Sequence, residues 1–397
     1  MNFDFDVVVV GAGPVGSTIA YYLSFNNINV ALIDEKKQIG FPLQCAGLLS
    51  GKIFEVNQIP ENIILNKVEG AFIHSKHHTL DVEKEKDVAY VIDRVSYDEF
   101  LLNRAFDNGV KFINHKVVDV DCEKGITYLE NNEKIMSKVV IGCDGYNSLI
   151  SEIMGNTQNN FPASQVLAKI SDEDIAKFRN SQKSVDDYVD IYLLEDALPG
   201  FIWIIPIKNE YYRIGMFSNQ SSEVQFELLE EFFFENFDGE ILEKYEGFIP
   251  IFNKNNRMVK GRTILIGDAA GHIKPTSGGG LSTAFDACHI ASNYVVHAVH
   301  SNDLNRLKEY QKEFENKYLD EFSYQSKIQK SLGLLCDDDL DYLFLKLKEN
   351  DCEKIISEYG EIDTQSVLVK ELIKRGLISK ILPSVIFNKI SKLFQIR

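Results

Sequence analysis

The chain is poor in the features that mark metal-bound, disulfide-bonded or nucleic-acid-binding proteins. Its six cysteines (45, 122, 143, 288, 336 and 352) are scattered with no C-x-x-C. That argues against a disulfide framework and against a zinc or iron–sulfur site. The eight histidines include no H-E-x-x-H, and His77-His78 reads as a solvated loop pair. Positive charge is scarce: 42 Lys and Arg against 59 Asp and Glu leave a formal charge of −17. No cationic excess is available to neutralise nucleic-acid phosphates. No apolar run reaches the ~18 residues of a spanning helix, and the first strand begins too soon for a signal peptide. Internal repeats and low-complexity linkers are absent. The expectation is a cytoplasmic protein with reduced thiols, large enough at 397 residues for two to three domains.

What is present starts at the N-terminus. Asp6-Val-Val-Val-Val10 suits a strand buried on both faces. It runs into Gly11-Ala-Gly-Pro-Val-Gly16, which has the spacing G-x-G-x-x-G. Gly11 would permit the tight turn, Gly13 the close approach of a pyrophosphate, and Gly16 close packing of the next helix. That helix, expected over Ser17–Phe25, would aim its N-terminal amides at the phosphates. A second strand, Val30–Ile33, ends in Asp34 and Glu35, where a carboxylate can accept hydrogen bonds from a ribose diol. Strand, helix, strand and acid in this order predict an ADP-containing dinucleotide.

Gly40–Ser50 carries too many breakers for regular structure and sets Cys45 beside Ala46 and Gly47. Arg94 precedes an expected helix Ser96–Asn108, with Ser96 as its N-cap. Val117–Asp121 reads as a strand, and Val139–Cys143 as a buried one that ends in Asp144-Gly145. From about 158 to 257 alternation replaces the βαβ pattern, which predicts an antiparallel sheet. It includes Gly200-Phe-Ile-Trp-Ile-Ile-Pro206, around the only tryptophan. Arg262–Gly267 returns to parallel-strand style, ends at Asp268, and leads through Gly278-Gly-Gly-Leu281 into a helix. Residues 303–397 are mostly helical by pattern, with a polar break at Asp337-Asp-Asp339. Beyond Glu371 the chain is basic and acid-free, and Ile373, Leu377, Ile381, Leu382, Ile386, Ile390 and Leu393 form a helix-like stripe. Residues 372–397 therefore suggest a peripheral anchor on anionic lipid, or a helix packed on the protein's own acidic surface.

Three separated motifs agree: Gly11–Gly16 with Asp34, Asp144-Gly145, and Gly267-Asp268 with its glycine loop. Together they resemble the p-hydroxybenzoate hydroxylase-like flavoproteins. Gln44-Cys45-Ala46-Gly47 and the Trp203–Pro206 strand further resemble the geranylgeranyl reductase family, including its archaeal glycerophospholipid reductases. The resemblance implies an α/β fold with a three-layer Rossmann-like FAD domain (1–65, 90–157 and 258–300). It also implies an inserted antiparallel substrate domain (66–89 and 158–257) and a helical C-terminal region (301–397).

Roles follow by motif. The resemblance assigns the ADP half of FAD to Gly11, Gly13, Val15, Gly16, Asp34 and Glu35. Arg94, the main chain near Val118, Asp144, Gly145 and Asp268 would contact the cofactor along its length. Gly279, Gly280 and Leu281 would lie near the isoalloxazine, with Cys45, Ala46 and Gly47 on its opposite side. Phe201, Trp203 and Pro206 would line a prenyl tunnel, although Ile205 replaces an aromatic of the family motif. The implied reaction saturates isolated alkenes of geranylgeranyl chains in glycerophospholipids by hydride from FADH2 and a proton, with Cys45 as the catalytic candidate. A ferredoxin, a reduced deazaflavin or NAD(P)H would be the electron donor. Two rivals stay open: a flavin monooxygenase or halogenase, which shares the Trp-x-x-Pro pattern, and a flavoprotein without substrate chemistry.

Overall fold

The structure, a computed structural model, describes residues 2–43, 45–84, 89–382 and 389. Strand Phe5–Val10 lies inside an eight-stranded sheet because its valines leave no face fit for water. Val7, Val8 and Val9 are wholly buried. The strand pairs in parallel with Val30–Ile33 on one side and Lys134–Gly142 on the other. Lys111–Ile113 and Thr263–Leu265 extend the parallel order outward. Segments distant in sequence therefore line up their carboxyl ends along one edge, where open α/β sheets bind ligands.

The first helix spans Pro14–Phe25 and begins before Ser17. Gly13 caps it and Pro14 takes the first helical position, where a missing N–H costs nothing. Helix Leu281–Ser301 crosses it on the same layer, and the small residues Ala284, Ala287, Cys288 and Ala291 allow close packing.

A second sheet of seven strands runs Gly239–Pro250, Asn160–Ile170, Tyr211–Phe217, Phe201–Lys208, Tyr188–Tyr192, Gly70–His74, Thr79–Glu83. It is antiparallel except where Tyr188–Tyr192 runs parallel to Gly70–His74. Helix Ser222–Asn236 covers one face through Leu229 and Phe233. A small third sheet joins Leu48–Ser50, Ala89–Ile92 and Ile64–Val68 between the two. The last of these strands crosses the boundary expected at residue 65.

The C-terminal region is not one separate unit. Helix Arg306–Leu332 sends Leu307, Tyr310, Phe314 and Phe322 into the core of the parallel sheet, and Tyr310 Oη donates to the Leu265 carbonyl at 2.8 Å. Asp337, Asp338 and Asp339 do not break a helix but form the first turn of Asp337–Glu349, where carboxylates meet the positive end of the dipole. Leu377 and Ile381 pack on Cys352, Ile355 and Leu372, and Leu382 packs near Leu198 and Leu340. Their share of the anticipated lipid-facing stripe is thus covered by the protein itself, while Ile373 is 59% exposed. Ile386, Ile390 and Leu393 lie outside the described residues, as does Gln44. No helix among the described residues is long and apolar enough to cross a membrane.

Candidate active site

The glycine turn is shaped by three different demands. Gly11 has φ +97°, and a Cβ there would strike the Cys143 backbone, with its carbonyl carbon at 2.7 Å. A Cβ at Gly16 would land on the Gly11 carbonyl, so this glycine sets how closely the helix packs. Gly16 therefore works behind the cavity and does not line it. A Cβ at Gly13 would meet nothing within 4 Å. Gly13 thus opens on free space at a helix N-terminus, whose first amides have no intrahelical partner. Asp34 accepts from Ala12 N at 2.7 Å and Lys36 N at 2.8 Å, one bond to each oxygen. Carboxylate oxygens have further lone pairs, which remain for a ligand. Glu35 lines the same end and pairs with Lys116 at 3.5 Å.

Farther along, Asp144 accepts from Ser148 Oγ at 2.6 Å and Ile150 N at 3.1 Å. Burial pushes its carboxyl above the usual range, and these donors pull it back. Gly145, at φ +78°, has nothing within 4 Å of a notional Cβ. Asp268 is pushed up to about 6 by burial, against the opposing field of Arg94. Arg94 is the first residue of helix Arg94–Asp107, which is capped by Asp93 and not by Ser96. The Asp93 carboxylate accepts from Val95 N and Ser96 N, and the Ser96 hydroxyl donates to Asp93 instead of capping. The Arg94 guanidinium forks onto Asp98 at 3.1–3.2 Å, with the two side chains only 13% and 6% exposed. Burial raises the Asp98 carboxyl while Arg94 lowers it.

On the other wall, Gly47 N donates to Cys45 Sγ at 3.4 Å. Arg213, not singled out from sequence, donates to the carbonyls of Ala46 at 2.7 Å and Ile92 at 3.1 Å. Gly47 has φ +73°, and a Cβ there would run into the Arg213 guanidinium, so glycine is needed twice over. Burial draws the Arg213 pKa down. Ala46, Gly47, Val118, Gly279, Gly280 and Leu281 all face the same cavity as Cys45 and Asp268. Residues 360–365 close one side of it. Asp363 there is ion-paired with the buried Lys274 and accepts from Ser50 Oγ at 2.5 Å.

The cavity is about 1320 Å³, beyond the roughly 300–1,000 Å³ of ordinary small-ligand sites. It continues from the glycine turn to an apolar end walled by Val68, Ala71, Ile191, Phe201, Trp203, Ile205 and Phe217. Phe201, Trp203 and Ile205 share one face by the two-residue period of a strand. Pro206 falls on the opposite face and does not line the cavity, contrary to expectation; its carbonyl accepts from Asn66 Nδ2 at 3.2 Å. Gln165, also missed, reaches the indole from two strands away. A charged residue among apolar and aromatic neighbours was the only sequence signal for Arg213, while Gln165 shares its strand with Ser164 and Lys169 and had none. Residues 360–365 carried none.

The residues present fit an extended dinucleotide. Gly13 and Gly145 leave the space a Cβ would fill, a helix N-terminus faces that space, and Asp34 keeps acceptor capacity. Fold and cradle together define a flavin-dependent oxidoreductase of the Rossmann-like class. The tryptophan halogenase family model matches residues 59–323, and the chain belongs to that family. The chain is also similar to proteins named digeranylgeranylglycerophospholipid reductase. One from Methanocaldococcus jannaschii is 28% identical, over 88% of this chain and 92% of its own. Reductase 1 of Methanococcoides burtonii is 27% identical, over 89% and 90%. A solved geranylgeranyl bacteriochlorophyll reductase-like protein from Thermoplasma acidophilum shares the fold at TM-score 0.80 and 23% identity, covering 98% of this chain and 99% of its own. A point mutant of the halogenase PltM in complex with FAD shares it at TM-score 0.69 and 16% identity, covering 98% and 95%.

Proposed function

We propose that the protein is an FAD-dependent reductase that saturates isolated double bonds of geranylgeranyl chains in isoprenoid glycerophospholipids. The observation that carries this reading is a single cavity joining a dinucleotide cradle to an apolar pocket. The names of the similar reductases supply the substrate class. Gly11, Gly13, Val15 and Asp34 would hold the adenosine and phosphate half, with Gly16 behind them. Arg94, Val118, Asp144, Gly145 and Asp268 would hold the middle of the cofactor, and Gly279–Leu281 with Cys45–Gly47 would flank its ring. FAD, when bound and reduced, supplies hydride chemistry.

The chain's own work is to bind, align and exclude water. Phe201, Trp203 and Ile205 give the prenyl chain an apolar wall. Residues 360–365, tied down by Lys274 and Ser50, shield the cavity from solvent. Cys45, which lines this cavity, is the catalytic candidate, and its thiol would hold or pass a proton. Access to a membrane-borne substrate would fall to the basic residues within 372–397, of which Lys374 and Arg375 also pair with Glu371. The electron donor is a ferredoxin, a reduced deazaflavin or NAD(P)H.

The test is anaerobic incubation of chemically reduced protein with a digeranylgeranylglycerol phospholipid, followed by mass spectrometry. A gain of about 2 Da per double bond with reoxidation of the flavin is expected, and Cys45→Ala should slow it while leaving flavin bound. An unchanged lipid mass with the flavin still reduced refutes the reading. The family assignment would then favour oxygen-dependent monooxygenase or halogenase chemistry.

A further inference from the structure

Trp203, Gly215 and Gln165 form one row across three neighbouring strands. Gly215 pairs with Trp203 on one side and with Gln165 on the other. The indole lies flat over Gly215: a Cβ there would stand 2.7 Å from its Cε2. Its Nε1–H donates across the middle strand to Gln165 Oε1 at 3.2 Å. Both side chains are buried, Trp203 at 8% and Gln165 at 5% exposure. Because an indole N–H can only donate, this bond sets the orientation of the Gln165 amide. The amide nitrogen has no hydrogen-bond partner among the described residues. Without Gln165 Oε1 the indole N–H would itself be a buried, unpaired donor, which is costly, so this oxygen governs where the ring can rest. Phe201 closes the row by an edge contact to Trp203, centroids 6.0 Å apart.

We propose that Gln165 is a positioning residue, which acts through Trp203 to set the bore of the apolar end of the cavity. A ring held flat presents a planar wall. Such a wall admits planar trisubstituted alkenes more readily than the thicker, tetrahedral carbons of a saturated branched chain. The row therefore favours unsaturated substrate over saturated product. This assignment rests on reading the apolar end as a prenyl site.

Trp203 is the single tryptophan of the chain, so its signals need no assignment. Indole N–H exchange is followed by NMR on 15N-tryptophan-labelled protein, and binding of geranylgeraniol and of phytanol is followed by Trp203 fluorescence. Gln165→Leu should speed indole exchange about tenfold or more, as loss of a buried hydrogen bond requires. It should also shrink the preference for geranylgeraniol over phytanol. Gln165→Glu, which keeps an acceptor, should restore both. Gly215→Ala, which leaves the acceptor but displaces the ring, should lose the preference too. Exchange unchanged in Gln165→Leu, or faster exchange with an unchanged preference, overturns the proposal. If wild type binds neither alcohol, the prenyl reading and the bore assignment fall together, while exchange alone still decides whether Gln165 anchors the ring.

Discussion

Gly13→Ala and Gly16→Ala differ by three positions in one turn and should fail in opposite ways. At Gly13 a methyl meets nothing within 4 Å, and φ is −61°, which any residue adopts. Removing glycine from such a site lowers unfolded-state entropy by ~0.4–1 kcal/mol, which offsets most of the roughly 0.5–1 kcal/mol by which Ala caps less well than Gly. Stability without cofactor should therefore hold within about 0.5 kcal/mol. The methyl nevertheless fills the path of the phosphates, and FAD affinity should fall at least tenfold, about 1.4 kcal/mol. At Gly16 the methyl lands on the Gly11 carbonyl, with Gly11 C at 3.0 Å and Cys143 Cβ at 3.3 Å. Two backbone segments must part, which puts the cost at the upper end of overpacking, about 3 kcal/mol. The assay is thermal unfolding of flavin-free protein beside flavin titration of each variant. Equal destabilisation of both variants, or wild-type FAD affinity in Gly13→Ala, would refute the assignment of the free space to phosphate.

Asp268 should make its presence felt in acid. Its folded pKa, about 6, lies above the ordinary aspartate value, so its ionisation disfavours the fold above pH 6 and the burden lifts as pH falls toward 4. The stability of Asp268→Asn relative to wild type should thus be greater at pH 7 than at pH 4.5, by about 2 kcal/mol in urea unfolding. A flat difference would sink this. His272 has the opposite sign: burial holds it near 3, Gly267 N donates to its Nδ1, and it stacks on Phe314. Its contribution is complete above pH 6.5 and lost as pH falls toward 3, so His272→Gln should flatten the acid limb of the stability curve. Lys274→Met leaves the Asp363 carboxylate buried without its cation and should cost on the order of 3–5 kcal/mol, as breaking a buried pair does. Lys274→Met with Asp363→Leu should recover most of that; a double-mutant cycle with no coupling would show the pair to be idle.

Much of this protein was decided by signals that lie within a few consecutive residues. A run of valines, a glycine spacing and an acid at the next strand end specify a dinucleotide cradle, because each acts through backbone geometry over a single turn. Two-residue alternation likewise marks the antiparallel sheet, and it put Phe201 and Trp203 on one wall. The same periodicity, read in the folded sheet, turns Pro206 away. What only the tertiary structure decided depends on contacts between distant segments. Asp93 outcompetes Ser96 as a cap because its carboxylate is the one oriented toward the first amides of that helix. Arg213 reaches the Cys45 loop only because Gly47 lacks a side chain. Gln165 meets Trp203 only because register sets Gly215 between them. Residues 360–365 close the cavity through a lysine almost ninety positions away, a pairing that no local pattern encodes. Local geometry chose the cofactor class; long-range register and burial shaped the pocket beside it.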